Sequence, residues 1–307
     1  MHPVAVDFVL VAVSIGALWY GAESFVDGAV SVARRLGISE VVVGVVVLGI
    51  GTSLPELATS ADAALTGRPD VAVGNAVGSN LFNIGLVLGT VALFGTLRAP
   101  RLVRHRDAPV MLGATGLAAL TLYDLRLSRL EGLLLLGGLL VYLVVLARDD
   151  DGPDTAPPPD ARPLVTAGRV LFGLALVVVG ADLLVSSASD LARVVGLSEW
   201  AIGETVVAVG TSSPELVAGL AAARQGATDA AVGNVVGSNV FNLLGALGLV
   251  AVLEPVVVAP AATATVLWLV GLTVLVSVLL YTGEEFTRGE GVVCVVVNAT
   301  RWALDLL

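Results

Sequence analysis

GTSLPEL, Gly51 to Leu57, closes the apolar run ISEVVVGVVVLGI and sets a proline and a carboxylate where neither is comfortable. The chain repeats the device at Gly210 to Leu216, writing GTSSPEL after the apolar run LSEWAIGETVVAV. One misplaced glutamate is an accident; two in the same setting mark a site. Displacing the chain on itself by 159 positions, the separation of Glu56 from Glu215, superposes far more than these heptads. GAESFVDGAVSVARRLGISE falls on GADLLVSSASDLARVVGLSE and VAVGNAVGSNLFN on AAVGNVVGSNVFN, without a gap. Roughly half the positions from Gly21 to Asn83 are identical to their mates, and Arg129-Leu-Glu-Gly matches Arg288-Gly-Glu-Gly at the same offset.

The setting is a bilayer. The 307 residues are 56% hydrophobic and 14% charged, with mean hydropathy +0.94, and apolar runs recur along nearly the whole length. That is the composition of an all-α polytopic membrane protein. PVAVDFVLVAVSIGALWYGAE has neither a basic n-region nor a small-residue cleavage site, so it reads as a first span and not a signal peptide. Cys294 is the only cysteine, and His2 and His105 lie far apart, which excludes disulfide frameworks and Cys/His zinc sites. Any ligand set is therefore made of oxygen. Much of the formal charge of −10 falls in short polar stretches such as RDDDGPD, the pattern of solvated loops.

Pro, Gly and charge divide the apolar runs into ten expected helices, near 4–33, 38–65, 70–95, 108–124, 129–147, 164–192, 197–223, 228–253, 261–281 and 289–306. The one long polar break, ARDDDGPDTAPPPDARP, reads as a linker over 148–163. It separates a first repeat, 1–147, from a second, 164–307. Five spans per copy is an odd number, so the second copy enters the membrane from the opposite side, an inverted-topology repeat of the kind common among secondary transporters. With an external N-terminus, Arg34, Arg35, Arg98, Arg101, Arg104, Arg106, Arg148, Arg162, Arg169, Arg224 and Arg288 fall inside. Only Arg68, Arg126, Arg129 and Arg193 fall outside. The positive-inside rule then predicts a plasma-membrane protein with its N-terminus outside and its linker cytoplasmic.

Pro55 has no N–H and its ring clashes with the preceding turn, so the Gly51 carbonyl loses its helical partner; Pro214 does the same to Gly210. Gly49 and Gly51 loosen the turn further. Broken helices at mid-membrane persist only where they line a cavity or are buried in protein. Thr52 and Ser53 stand four and three residues before Glu56, so their hydroxyls share a face with its carboxylate, and Thr211, Ser212 and Glu215 repeat the arrangement. In the second element Gly74 and Gly78, or Gly233 and Gly237, allow close helix approach. Ser79 and Asn83, like Ser238 and Asn242, lie at i and i+4 on one face. An intramembrane glutamate costs on the order of 3 kcal/mol or more unless paired or neutralised, and neither broken segment contains an arginine. Two carboxylates with hydroxyls, amide oxygens and bare carbonyls suit a hard cation such as Ca²⁺ or Na⁺.

GTSLPEL followed by GNAVGSNLFN, with the inverted copy, resembles the two alpha-repeats of the cation/calcium exchanger superfamily, which includes the sodium/calcium exchangers. The resemblance spans the whole chain, with the motif pairs at 49–83 and 208–242. It implies that the broken second, third, seventh and eighth spans form adjoining cation sites, and that sodium entry drives calcium out by alternating access. Carried onto matching positions, it implies Glu56 and Glu215 as shared central ligands, and Thr52, Ser53, Ser79, Thr211, Ser212 and Ser238 as hydroxyl ligands. It also implies carbonyl ligands at Gly49 and Ala208 and amide ligands at Asn83 and Asn242. Several relatives carry Asp at one of those two amide positions, a carboxylate tied to proton or potassium involvement; Asn at both makes proton coupling the less expected mode. The short linker leaves no room for a large calcium-sensing domain.

The remaining acids have quieter expected roles. Glu23 and Asp182 are expected to serve helix packing, Glu204 to be a solvated residue near the entrance of its span, and Glu131 and Glu290 to favour helix dipoles at their starts. The sequence thus predicts an Na⁺/Ca²⁺ antiporter, with a Ca²⁺/H⁺ antiporter or a passive cation channel as the alternatives. No GxSxG, HExxH or aspartate dyad argues for an enzyme. No cofactor is expected beyond the transported Ca²⁺ and Na⁺, and no partner beyond the lipid bilayer: neither nucleic acid nor an obligate protein.

Overall fold

The computed structural model describes residues 4–35, 53–148, 163–224, 228–283 and 285–305. The first half gives α1 (Val4–Arg35), α2 (Leu54–Leu65), α3 (Pro69–Phe94), α4 (Ala108–Thr121, entered through a π turn, Val103–Asp107) and α5 (Arg129–Arg148). The second gives α6 (Pro163–Val195), α7 (Glu199–Thr211), α8 (Ser213–Arg224), α9 (Thr228–Val240, then Phe241–Ala246 and Leu247–Leu253), α10 (Ala261–Thr282) and α11 (Arg288–Asp305). The expected helix over 38–65 is described only from Ser53 onward, and most of the expected linker lies outside the described residues.

Among the described residues six helices are long and apolar enough to cross a membrane, and α7 with α8 makes a seventh span bent by 47°. α4 and α11 are helical where expected but do not qualify alone: the start of α4 is spent on the Arg104-His105-Arg106-Asp107 π turn, and α11 carries Arg288, Glu290, Asn298 and Arg301. Burial sorts the spans. The windows of α3 and α9, which carry the GNxVGSN elements, are 78% and 89% buried, whereas that of α5 is 22% buried and turns Leu133, Leu134, Leu140 and Val141 outward. The motif helices form the core, and the greasy outer faces are what a bilayer solvates.

Small residues set the close approaches. α1 lies along α6, where a Cβ on Gly21 would meet the Gly173 carbonyl at 2.9 Å and one on Gly173 the Phe25 amide at 2.5 Å. α3 crosses the π turn Gly203–Val207 of α7, and a Cβ on Gly203 would meet the Val71 Cα at 2.9 Å. Only glycine permits backbone-to-backbone packing at that range.

Among the described residues, four two-residue strands, absent from the sequence reading, clip the ends of the bundle. β1 (Leu97–Arg98) pairs antiparallel with β4 (Glu285–Phe286), and β2 (Arg126–Leu127) with β3 (Val256–Val257). At the offset of 159, β1 and β3 are mates, and so are β2 and β4; each clip therefore joins one half to the other in crossed fashion. Because β3 and β4 flank the 22 residues of α10, a rise of roughly 33 Å, the two clips sit at opposite ends of the molecule. The acids expected at helix dipoles do more than that. The Ser128 and Thr287 N–H groups donate to Glu131 Oε2 and Glu290 Oε2 at 2.8 and 2.6 Å, while Ser128 Oγ and Thr287 Oγ1 accept from the Glu131 and Glu290 N–H groups. Both starts are capping boxes.

Candidate cation-binding site

Ser53 is the N-cap of α2, Pro55 occupies its first turn, and Glu56 follows with its side chain wholly buried. A carboxylate at that helix start lies near the positive end of the helix dipole. In the second half Ser212 makes the break between α7 and α8, and Glu215 stands fully buried in the first turn of α8. Pro214 leaves the Gly210 carbonyl without a helical donor, as its missing N–H requires, but Ser213 Oγ fills the place at 2.9 Å. Its mate, Leu54, has no hydroxyl to offer. The Ala208 carbonyl, too, accepts hydrogen bonds from the Ser212 N–H at 3.0 Å and from Thr211 Oγ1 at 3.2 Å. Gly49, Gly51 and Thr52 lie outside the described residues.

The two motifs meet directly. Ser212 Oγ donates to Glu56 Oε1 at 2.6 Å, and Ser79 Oγ lies 3.4 Å from Thr211 Oγ1. Asn83 and Asn242 each sit in a π turn, Phe82–Leu88 and Phe241–Ala246, where an α-helix accommodates an extra residue, a feature frequent at functional sites. The π turn bearing Asn83 packs against α8, and the one bearing Asn242 against α2, so each amide-bearing turn lies against the other half's acidic helix. Ser53, Glu56, Ser79, Asn83, Ala208, Thr211, Ser212, Glu215, Ser238 and Asn242 are all fully buried.

Burial makes the loose ends informative. Among the described residues, Glu56 Oε2, Ser53 Oγ and both amide atoms of Asn83 and Asn242 have no hydrogen-bond partner. Native interiors seldom leave such groups unmatched, and each one requires an explanation. Buried oxygens left over in both halves of the chain, Glu56 Oε2, Ser53 Oγ and the Asn83 and Asn242 Oδ1 atoms, are the type of ligand a hard cation takes. Among the described residues no group of three or more His, Cys, Asp or Glu side chains could hold a metal, so tight thiolate or imidazole chelation is not on offer.

Asn75 was read past in the sequence. Its Nδ2 donates to the Glu56 carbonyl at 3.3 Å and to Ser60 Oγ at 2.9 Å, and its Oδ1 accepts from Thr211 Oγ1 at 3.0 Å. One buried amide thus ties α2, α3 and α7 together behind the carboxylate. Asn80 and Asn239, mates at the repeat offset, each spend Nδ2 on a carbonyl one turn back, Ala76 and Val235, at 2.7 Å. The signal was present, since the motif repeats three asparagines per half, but the i, i+4 reading weighed only one of them. Asn75→Leu should leave Thr211 and Ser60 without their buried partner; loss of each such bond costs about 1–3 kcal/mol. The expected result is a lower thermal midpoint with weaker calcium protection of that midpoint.

Glu204 corrects the sequence reading. It is 2% exposed, not solvated, and lies 3.6 Å from Arg301 of α11. Glu23 and Asp182, expected to serve packing, present exposed side chains on α1 and α6.

Known proteins resemble the chain over nearly its whole length. The family model described as sodium/calcium exchanger protein matches residues 6–148 and 165–299. The chain belongs to the sodium/calcium exchanger family. CaxA of Alkalimonas amylolytica is 42% identical to this exchanger-family chain, over 84% of each protein. The sodium/calcium exchanger MaX1 of Methanosarcina acetivorans is 29% identical over 94% of this chain and 95% of its own. A solved structure of the sodium-calcium exchanger NCX_Mj, soaked with Na⁺ and Sr²⁺, superposes with a TM-score of 0.73 at 30% identity, covering 98% of this chain and 99% of that one.

Proposed function

We propose that this sodium/calcium exchanger binds Ca²⁺ and Na⁺ in turn at one shared site built from Glu56 and Glu215, and expels Ca²⁺ as Na⁺ enters. Glu56 carries the reading: a fully buried carboxylate with Oε1 held by Ser212 of the other half and Oε2 without a donor among the described residues. Ser53, Ser79, Thr211, Ser212 and Ser238 supply hydroxyls, Asn83 and Asn242 amide oxygens, and Thr52, Gly49 and Ala208 complete the set in the assignment by resemblance.

The chain is organised as two inverted five-helix repeats, 1–147 and 164–307, joined by a cytoplasmic linker, with the N-terminus outside in the plasma membrane. The crossed strand clips and the paired capping boxes support this reading, since each feature of one half recurs in the other at the opposite end. Two copies of one structure with opposed orientations can exchange roles, so that a single buried site opens to either face. An exchanger has no need of a cofactor or of catalytic chemistry.

Flux decides the reading. In sealed vesicles holding the purified protein, calcium uptake is expected only when sodium is higher inside than out. Uptake that ignores the sodium gradient but follows a proton gradient replaces Na⁺ by H⁺ as the coupling ion, and uptake indifferent to both makes the protein a channel.

A further inference from the structure

Outside the cation site, one buried polar cluster has no place in the transport reading. Arg301 of α11, Glu204 of α7, Thr265 of α10 and Trp200 of α7 are each at most 6% exposed. Thr265 is the hub. Its Oγ1 donates to Glu204 Oε2 at 2.7 Å and accepts from Arg301 at 2.8 Å and Trp200 Nε1 at 3.0 Å, so its single hydrogen and both lone pairs are engaged. Arg301 and Glu204 stand 3.6 Å apart. Burying an ion pair in a membrane bundle gives little net stability by itself, and its retention points to a task.

The repeat isolates that task. At the offset of 159, Arg301 corresponds to Tyr142 and Thr265 to Arg106, and these also form a cluster: Tyr142 Oη donates to Asp107 Oδ1 at 3.1 Å, and Arg106 pairs with Asp107 at 2.8 Å. That cluster ties α5 to the entry of α4. The second-half cluster reaches one helix further, into α7, because position 204 is Glu where its mate, position 45, is Val. At this position, then, the second half has an ionisable side chain and the first half does not.

Glu204 lies inside the π turn Gly203–Val207, four residues before the segment that ends at Thr211 and Ser212. Its backbone also packs against α3 at Gly78, next to Ser79, where a Cβ would collide with it. A π turn holds one residue more than an α turn, and at 3.6 residues per turn, relaxing it to α-helix rotates everything beyond by about 100°. Such a rotation carries Thr211 away from Asn75 and Ser212 away from Glu56.

We propose that Glu204 and Arg301 are positioning residues of the cation site, an anchor that holds the α7 π turn and with it the register of Thr211 and Ser212. The proposal rests on the reading of Glu56, Thr211 and Ser212 as cation ligands. The pair touches no ion. It acts through the helix that does.

The test measures the calcium concentration giving half-maximal sodium-driven uptake, together with the thermal midpoint, for the full-length protein and for Glu204→Gln, Arg301→Gln, their double variant and Thr265→Val. Outer-shell partners of metal ligands are typically worth 10–100-fold in affinity, so each single charge variant should raise the half-saturating concentration by about tenfold. Both should move it in the same direction, and the double variant should be no worse than the poorer single, because all act through one contact. Opposite shifts for Glu204→Gln and Arg301→Gln mean that the charges act through space and overturn the proposal. An unmoved half-saturation with a lower midpoint also overturns it, since the cluster then only holds the bundle together. Should the charge variants fail to fold, Thr265→Val leaves both charges paired and decides alone: a raised half-saturation supports positioning, an unchanged one refutes it. A parent protein without sodium-driven uptake overturns the transport reading instead, and is told apart by that control.

Discussion

Glu56→Gln and Glu215→Gln are each expected to abolish sodium-driven calcium uptake, by a hundredfold or more, while leaving a folded protein. A glutamine keeps the shape and, at position 56, an oxygen to accept from Ser212 Oγ, whose bond to Glu56 Oε1 is 2.6 Å long. What it removes is charge. With both carboxylates present a bound Ca²⁺ is neutralised; with one, a net positive charge is left in a fully buried site, at an effective cost of several kcal/mol for each unmatched ion. About 3 kcal/mol is enough for a hundredfold loss. Stability should move the other way or stay level, because an ion-free protein no longer has to bury that carboxylate. Uptake assays on both variants, with thermal midpoints measured without calcium, check the two halves of the prediction. Near-normal exchange by either variant removes the central claim, and so does a collapse of both midpoints, which would make the glutamates structural.

Those glutamates were legible in the sequence because a membrane span is a strict background. Where nearly every neighbour is Val, Leu, Ala or Gly, a carboxylate beside a proline stands out, and its recurrence at a fixed offset removes chance. The helices were legible for the same reason, with boundaries close to those observed, as over 228–253 and 261–281. The misreadings share a different cause. Glu204 looked solvated because its partner, Arg301, lies on the last helix, and an ion pair between distant helices leaves no local spacing to read. Asn75 was hidden by its company: GNAVGSNLFN sets it beside two glycines and two further asparagines, and only the fold shows that it links Glu56, Ser60 and Thr211. The π turns have no compositional signature at all, since they differ from α-helix by one residue of register. The strands, at two residues each, are too short for an alternating pattern.

An imposed membrane potential should shift the balance point of exchange by about fifty-fold per 100 mV, because the two loaded states of the site differ in charge. Glu56 and Glu215 together carry two negative charges when ionised, and among the described residues no cationic side chain is hydrogen-bonded to Glu56 Oε1 or Oε2. A site holding Ca²⁺ is then close to neutral, whereas three Na⁺, the stoichiometry usual in the family, leave it near +1. Each cycle that brings three Na⁺ in and sends one Ca²⁺ out moves one positive charge inward. That charge is worth about 2.3 kcal/mol per 100 mV, and since every 1.4 kcal/mol is tenfold, an inside-negative potential of 100 mV raises the calcium gradient sustained at equilibrium by about fifty-fold. The sign matters: inside-negative potential favours Ca²⁺ exit. The measurement clamps vesicles with a potassium gradient and valinomycin, fixes the sodium gradient, and finds the calcium ratio at which net flux vanishes at several potentials. A slope of one charge per Ca²⁺ is expected. A balance point that ignores potential means two Na⁺ per Ca²⁺ with an electrically silent cycle, and then the two carboxylates remain the only charges that the bound ions must match.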